Sequence, residues 1–222
     1  MKKYLFFILI ALYFLIGFTM TSAKNSICSI IDDVQITDEM ISDYYNSLTP
    51  KDKEYFSWTV PFFISKDNNQ IIYIEICCAH FHKLHIYIFD KINIPQELLD
   101  LYNMNYKKGY LKEDAVTYIK NRIENAIRVD SKYFITKKGA KLGMSSKDIV
   151  SIYGTPHYIE IVKFKPKKIL RFKWKVFGFT EADHFGNIPK ENVCKQLECN
   201  HEISVDFVDD KAVVIHIENE VP

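Results

Sequence analysis

The chain has 222 residues, with 29 lysines and arginines against 28 acidic residues and a formal net charge of +1. This balance creates no overall field that would favour nucleic acid or an anionic surface. A hydrophobic content of 48% supports a packed core and excludes a disordered chain, and the length suits one large or two small domains.

The N-terminus has the layout of a secretory signal peptide, which we place at residues 1–23. Lys2 and Lys3 precede an apolar run to Met20, and small residues follow as far as Ala23. We expect cleavage near Ala23 and export to the periplasm or the exterior; the alternative is an uncleaved anchor. Cys28 does not follow the Leu-x-small turn of bacterial lipoproteins, so we expect no lipid anchor.

Export permits disulfides, and five cysteines remain after the signal segment. Cys194 and Cys199 are the easiest local pair, being separated by four residues. Cys77 and Cys78 are adjacent, so in a strand they point to opposite faces and cannot share a partner.

The chain divides by its glycines and its patterns into two predicted units, residues 24–133 and 134–222. The first is predicted to be helical with a β-hairpin. Its strands are QIIYIEICC and LHIYIFD, which are rich in β-branched and aromatic residues, and helices follow in IPQELLDLYNM and GYLKEDAVTYIKNRIENAIR. In the last of these, an apolar stripe marks a core-facing surface: Leu111, Ala115, Ile119, Ile123, Ile127.

The second unit is predicted to pack a short helix on an antiparallel sheet of about four strands, which makes the whole protein α+β. Its strands are HYIEIVKF, KILRFKWKVF, EISVDFV and AVVIHIE, and the last two form a hairpin. KILRFKWKVF alternates between apolar residues such as Trp174 and basic residues such as Lys173, as expected of a strand with one buried face.

The segment KLGMSSKDIVSIYGTPHYIE is punctuated as one short helix. Ser145 and Asp148 have the spacing of a capping box, and Met144 has that of a hydrophobic staple. Gly154 and Pro156 mark the helix end. The segment lacks the second glycine and the Lys-Ser/Thr pair of a phosphate loop, and the second glycine of a nucleophile elbow.

A set of residues in this half of the chain matches the pattern of a known family: Gly143, Met144, Ser145, Val150, Gly154 and Pro156, with the later turn at Asp209–Val213. This half resembles the SmpA/OmlA outer-membrane assembly lipoproteins and is similar to β-lactamase-inhibitor-protein-like modules. The resemblance implies a noncatalytic module that assembles with envelope proteins or binds a protein partner. The lipid-attachment motif of that family is absent, and the insertion from Gly178 to Cys199 is longer than usual for such modules.

A second cluster, CCAHFHKLH, offers metal-ligating side chains: Cys78, His80, His82 and His85. In a strand, His80 and His82 share a face, and imidazole with thiolate suits zinc or copper. The alternative is that the histidines decorate a hairpin turn while one cysteine is buried.

Two further features bear on function. A basic run without acids extends from Lys163 to Lys175, and we interpret it as a solvated sheet face; an anionic envelope partner is an alternative.

Glu75 lies in an otherwise apolar strand. Burial there would raise its pKa and mark a site, whereas solvent exposure would not indicate a site.

These patterns favour an exported, noncatalytic binding or scaffolding protein of the bacterial cell envelope. It would have a protein partner, no nucleic acid, no catalytic residues and no cofactor, and would meet the membrane only through an uncleaved signal or that partner. The alternatives are a periplasmic metal-binding protein using Cys77–His85 and, more weakly, a secreted hydrolase. An exposed apolar surface around the sheet would favour the binding module.

Overall fold

The computed structural model describes residues 27–36, 46, 49–50, 62–67, 69–77, 82–164, 167–178, 193–195, 197 and 200–221. The strands are β1 Phe62–Ser65, β2 Gln70–Cys77, β3 His82–Asp90, β4 Ile127–Val129, β5 Tyr158–Phe164, β6 Lys167–Gly178, β7 Val193–Cys194, β8 Asn200–Val208 and β9 Lys211–Val221. The helices are α1 Gln96–Lys107, α2 Ala115–Glu124 and α3 Ser146–Tyr153, with 3-10 turns at Ile27–Ile30 and Ser131–Phe134.

All nine strands of the described residues belong to one mixed sheet, in the order β4-β1-β2-β3-β9-β8-β6-β5, with β7 paired to β6 beside this path. Neighbours are antiparallel except for β1 with β4 and β6 with β7. The predicted hairpins β2–β3 and β8–β9 are both present.

The predicted architecture, a sheet of about four strands beside a helical unit with its own hairpin, is wrong. The protein is mostly sheet, with nine strands and three helices in the described part of the chain. The reason is the pairing of β3 with β9, which runs from His82 opposite Val221 to Phe89 opposite Val214 and joins the two hairpins. Strand patterning tells which face is buried but does not tell which distant edge a strand will meet.

Each face of the sheet buries its own apolar cluster. Helices α1 and α2 cover one face, which we call the α1/α2 face, through Leu98, Tyr102 and Ile119, among others. Tyr102 donates its hydroxyl hydrogen to Tyr73 Oη on β2 at 3.1 Å, which ties α1 to the sheet. Of the predicted helical stripe, Ala115, Ile119 and Ile123 are buried in α2, whereas Leu111 precedes this helix and Ile127 lies in β4.

Helix α3 and the segment 27–36 cover the opposite face, which we call the α3 face. Its core includes Trp174 and Val205 from the sheet and Ile149 from α3. Trp174 Nε1 donates to the carbonyl of Gly154 at 3.1 Å, which fixes the end of α3 on the sheet. Alternation along β6 therefore turns Trp174 into this core and Lys173 to the α1/α2 face.

Helix α3 begins and ends at the residues that the sequence marks. Ser145 Oγ accepts from the Asp148 N–H at 3.2 Å, and Asp148 Oδ2 accepts from the Ser145 N–H at 3.1 Å, which together form a capping box. Gly154 ends the helix at a φ of +81°, a conformation that side chains disfavour.

Within the described residues, none of the helices combines the length and the apolar character needed to span a bilayer. The segment that we interpret as a signal peptide lies outside those residues.

Candidate functional site

Of the four predicted metal ligands, the structure describes the side chain of His85 alone. His85 lies on β3 and is partly buried. The backbone of His82 begins β3, but its side chain, like the whole of Cys78 and His80, lies outside the described part of the chain. The predicted set of Cys78, His80, His82 and His85 therefore stays a prediction.

His85 is close to two residues of β9, the strand paired with β3. Glu218 is directly opposite His85 in the β3–β9 register, and His216 is opposite Tyr87. His85 Nδ1 is 3.1 Å from His216 Nε2 and 3.8 Å from Glu218 Oε2. One donor atom from each of the three residues lies within 4.8 Å of the other two, so these side chains could hold a metal ion.

The two imidazoles meet edge to edge. Their planes differ by 10° and their centres are 5.3 Å apart, while the nearest nitrogens are 3.1 Å apart. Parallel rings stacked face to face at that centre separation could not bring two nitrogens so close. The nitrogens thus face each other, and one donates a hydrogen to the other.

His216 is held on its other sides by the sheet. Its ring lies flat on Tyr87, with centres 4.2 Å apart and planes 7° apart, and its Nδ1 is 3.4 Å from Ser204 Oγ. Burial lowers the pKa of His216 well below its usual value, and His85, Arg171 and Lys173 lower it further. His216 is therefore neutral at physiological pH, and one of its two ring nitrogens carries no hydrogen.

Two carboxylates extend this row across the sheet. Glu75 on β2 is opposite His85, and Glu202 on β8 is opposite Glu218. Burial raises the pKa of both Glu75 and Glu202. The structure thus gives Glu75 the partly buried setting that would mark a site, on the same face as His85.

A buried ion pair lies on the same face, beside α1. Arg171 on β6 contacts Asp206 on β8 through two hydrogen bonds, 2.5 Å from Nε to Oδ1 and 2.7 Å from Nη2 to Oδ2. Arg171 also donates to Glu97 in the first turn of α1. Arg171 thus joins α1 to β6 and β8, and we interpret this ion pair as structural.

The α3 face holds a second polar cluster, centred on buried Asp32. Tyr153 of α3 donates to Asp32 Oδ2 at 2.7 Å, and the N–H of Lys138 donates to Oδ1 at 3.1 Å. The Asp32 N–H in turn donates to His201 Nε2 at 3.1 Å, and His201 Nδ1 contacts Asn219. Each group has a partner inside the fold, as expected of a structural network.

A disulfide joins Cys28 to Cys194, at a sequence separation of 166, and secures the same N-terminal segment. Cys194 therefore has a different partner from the predicted one, Cys199, which lies outside the described residues. Local spacing favours Cys199, whereas the fold brings Cys28 to within a Cα–Cα distance of 5.2 Å.

Hydrogen bonds hold the N-terminal part of the predicted structural motif, which runs from Gly143 to Pro156. The Gly143 N–H donates to the Ala212 carbonyl and the Ala212 N–H to the Met144 carbonyl, both at 2.8 Å. Asp210 accepts from the Ser146 N–H at 3.1 Å. The start of α3 is thus attached to the turn between β8 and β9, and Pro156 follows its end.

Strand β5 forms one end of the sheet and exposes large apolar side chains. Ile159 is 62% exposed, Ile161 is 54% exposed and Tyr158 is 53% exposed. Ile159 is opposite Phe172 and Ile161 is opposite Leu170, so both isoleucines lie on the α3 face. The apolar surface of that face therefore continues beyond its covered core.

His216 and Glu218 are not part of the predicted metal cluster, although the sequence shows their alternating pattern. In AVVIHIENE they are two residues apart on the polar side of an alternating strand. Their closeness to His85 depends on the β3–β9 pairing, which has no local signal. Asp32 and His201 were missed for the same reason, since they meet only in the folded chain.

No protein-family model, no curated protein and no solved structure matches this chain, so we infer its function from its own residues.

Proposed function

We propose that the protein is an exported, noncatalytic binding protein of the bacterial cell envelope that holds an extended segment of a protein partner along β5. The observation that carries this proposal is the apolar edge strand with Ile159 and Ile161 exposed. An edge strand presents backbone N–H and C=O groups that a partner strand can pair with, and alternating pockets or side chains then select the sequence.

The character of β5 supports a docking role. Natural edge strands are commonly short, charged or interrupted by proline, which prevents association. Strand β4, at the other end of the sheet, is short, with three residues. Strand β5 has seven residues and no proline, and two of its core-face positions are uncovered isoleucines.

The chemistry of β5 indicates the chemistry of its occupant. Ile159 and Ile161 suit apolar side chains at alternate positions of an added strand. The sequence where β5 ends and β6 begins has four lysines, Lys163, Lys165, Lys167 and Lys168, and no acid. We therefore infer an extended segment that is apolar at alternate positions and acidic at the end nearest these lysines.

Two further points support a noncatalytic role in the envelope. The resemblance to SmpA/OmlA-like modules implies a noncatalytic role, and the signal-like N-terminus implies export. In addition, Ser204 and His216 are not arranged as a hydrolase needs. Ser204 lies inside β8 with strands paired on both sides, so the adjoining sheet offers no free pair of amides for an oxyanion hole.

The test compares Ile159→Lys/Ile161→Lys with the matched control Ile92→Lys, a substitution of another isoleucine, 82% exposed in a turn. A photocrosslinker at position 158, the exposed tyrosine that begins β5, in chain expressed in its native cells, should trap one partner. Peptides from that partner should be apolar at alternate positions. The double substitution should abolish trapping, and the control should not.

Amide hydrogen exchange of the purified complex gives an independent readout. Strand addition should slow exchange along β5 and leave the distant turn at Ile92 unchanged. Unchanged exchange in β5, or trapping that survives the double substitution, would refute the docking site. Export is tested by the mass of the same recovered chain, which should begin near Lys24.

A further inference from the structure

We propose that His85, His216 and Glu218 form a site for Zn²⁺ on the α1/α2 face of the sheet. This inference is separate from partner binding at β5, because the ligands lie on the two central strands β3 and β9 and project from the other face. It also differs from the predicted cluster, with which it shares His85 alone.

The spacing of the ligand atoms suits zinc. Zinc bound at 2.0–2.2 Å in a tetrahedron has ligand atoms about 3.4 Å apart. The His85 Nδ1 to His216 Nε2 distance of 3.1 Å and the His85 Nδ1 to Glu218 Oε2 distance of 3.8 Å lie on either side of that value. Because the two nitrogens now face each other, both rings must rotate before their lone pairs converge on one ion.

The surrounding contacts favour the ligand form of His216. A metal-bound imidazole commonly donates its other N–H to a neighbouring acceptor, which fixes the ring. His216 Nδ1 is 3.4 Å from Ser204 Oγ, and Tyr87 supports the ring from its face. The Nε2 atom, which faces His85, is then the atom available to an ion.

The ligand set selects among metals. Two imidazoles and one carboxylate suit Zn²⁺ and the neighbouring ions Cu²⁺ and Ni²⁺. Ca²⁺ and Mg²⁺ require six or more oxygen ligands and are disfavoured here. Glu75 and Glu202 follow in register on either side, and a bound cation would favour their charged form.

The position of the site allows an ion to enter. The side chains of His85 and Glu218 are 19% and 22% exposed, so the site lies near the surface of the sheet. Three protein ligands also leave a fourth tetrahedral position for water or another ligand, as in zinc sites that are not purely structural.

The experiment titrates the purified chain with Zn²⁺ against a chromophoric chelator, after the free thiols are alkylated without reduction. We expect one Zn²⁺ per chain. His216→Gln and Glu218→Gln should each weaken the affinity by about 100-fold or more, since even the loss of a supporting partner costs 10- to 100-fold. X-ray absorption of the zinc-loaded chain should show two imidazole nitrogens and no sulfur.

The controls separate this site from other histidines. His157→Gln, at the start of the distant strand β5, should leave zinc affinity unchanged, and so should His82→Gln. Glu218→Gln keeps the test valid if His216→Gln fails to fold, because Glu218 is partly exposed. Absence of stoichiometric zinc, unchanged affinity in Glu218→Gln, or loss of zinc in His82→Gln would overturn the proposal.

Discussion

At the scale of single residues, His201 shows how burial fixes a tautomer. Its Nε2 accepts the Asp32 N–H, so its one hydrogen is on Nδ1, which faces Asn219. Burial lowers the pKa of His201, although Asn219, Asp32 and Asp33 oppose this shift and Lys138 adds to it. Protonation of Nε2 would remove the acceptor for Asp32.

This arrangement predicts that acid destabilises the protein through His201. The native state binds fewer protons than the unfolded state, so the contribution is complete above the unfolded pKa of about 6.5 and falls as pH drops through it. His201→Gln keeps a donor and an acceptor but does not titrate. Unfolding free energies from urea titrations at pH 7.5 to 5 should therefore fall less steeply in His201→Gln, by up to about 1.4 kcal/mol per pH unit. Identical slopes would show that His201 does not drive the acid sensitivity.

At this scale, the sequence marks residues that have local signals and leaves unmarked those defined by distant contacts. His85 was selected from a histidine-rich segment, and Glu75 from its apolar surroundings. His216 and Glu218 carry no signal of proximity to His85, because more than a hundred residues separate them along the chain. The Cys28–Cys194 disulfide has the same origin.

At the scale of elements, local chemistry determined where α3 begins and ends. The Ser145 and Asp148 side chains cap α3 at the position that their spacing indicates. Alternation in β6 identified the buried face with Trp174. The number of strands in the sheet could not be predicted this way, because β3 and β9 pair through backbone groups that every residue carries.

The capping box gives a prediction for α3. Ser145→Ala removes the oxygen that accepts the Asp148 N–H, and we expect the unfolding free energy to fall by about 1 kcal/mol. Ser151→Ala, in the exposed body of the same helix, is the matched control and should change it by less than about 0.5 kcal/mol. Denaturant unfolding of both variants measures the difference, and equal effects would rule out a capping contribution.

At the scale of the whole molecule, one sheet carries two separate polar regions on its two faces. The α1/α2 face holds the histidine pair, whereas the α3 face holds Asp32 and the disulfide. The segment 27–36 is secured at both points, through Cys28 and through Asp32. Composition predicted a sizeable core but could not predict that both halves of the chain would share a single sheet.

The disulfide is expected to stabilise the entire fold. Its long loop restricts the unfolded chain, so replacing both Cys28 and Cys194 by serine should lower the unfolding free energy by about 2–5 kcal/mol. Urea unfolding measures this loss, and peptide mapping without reduction should recover the two cysteines in one linked fragment. Cys199→Ser is the control and should leave stability unchanged; a loss equal to that of the double variant would instead favour the Cys194–Cys199 pair.

The separation of these two cysteines also sets an order of events in biosynthesis. A chain is made from its N-terminus, so Cys28 emerges early and must wait for 166 further residues before Cys194 is available. Cys77 and Cys78 appear during that interval, and each can form a wrong bond with Cys28. Oxidation that is faster than synthesis would therefore trap misfolded chains. The native disulfide is best formed late, and its yield should depend on enzymes that exchange disulfides.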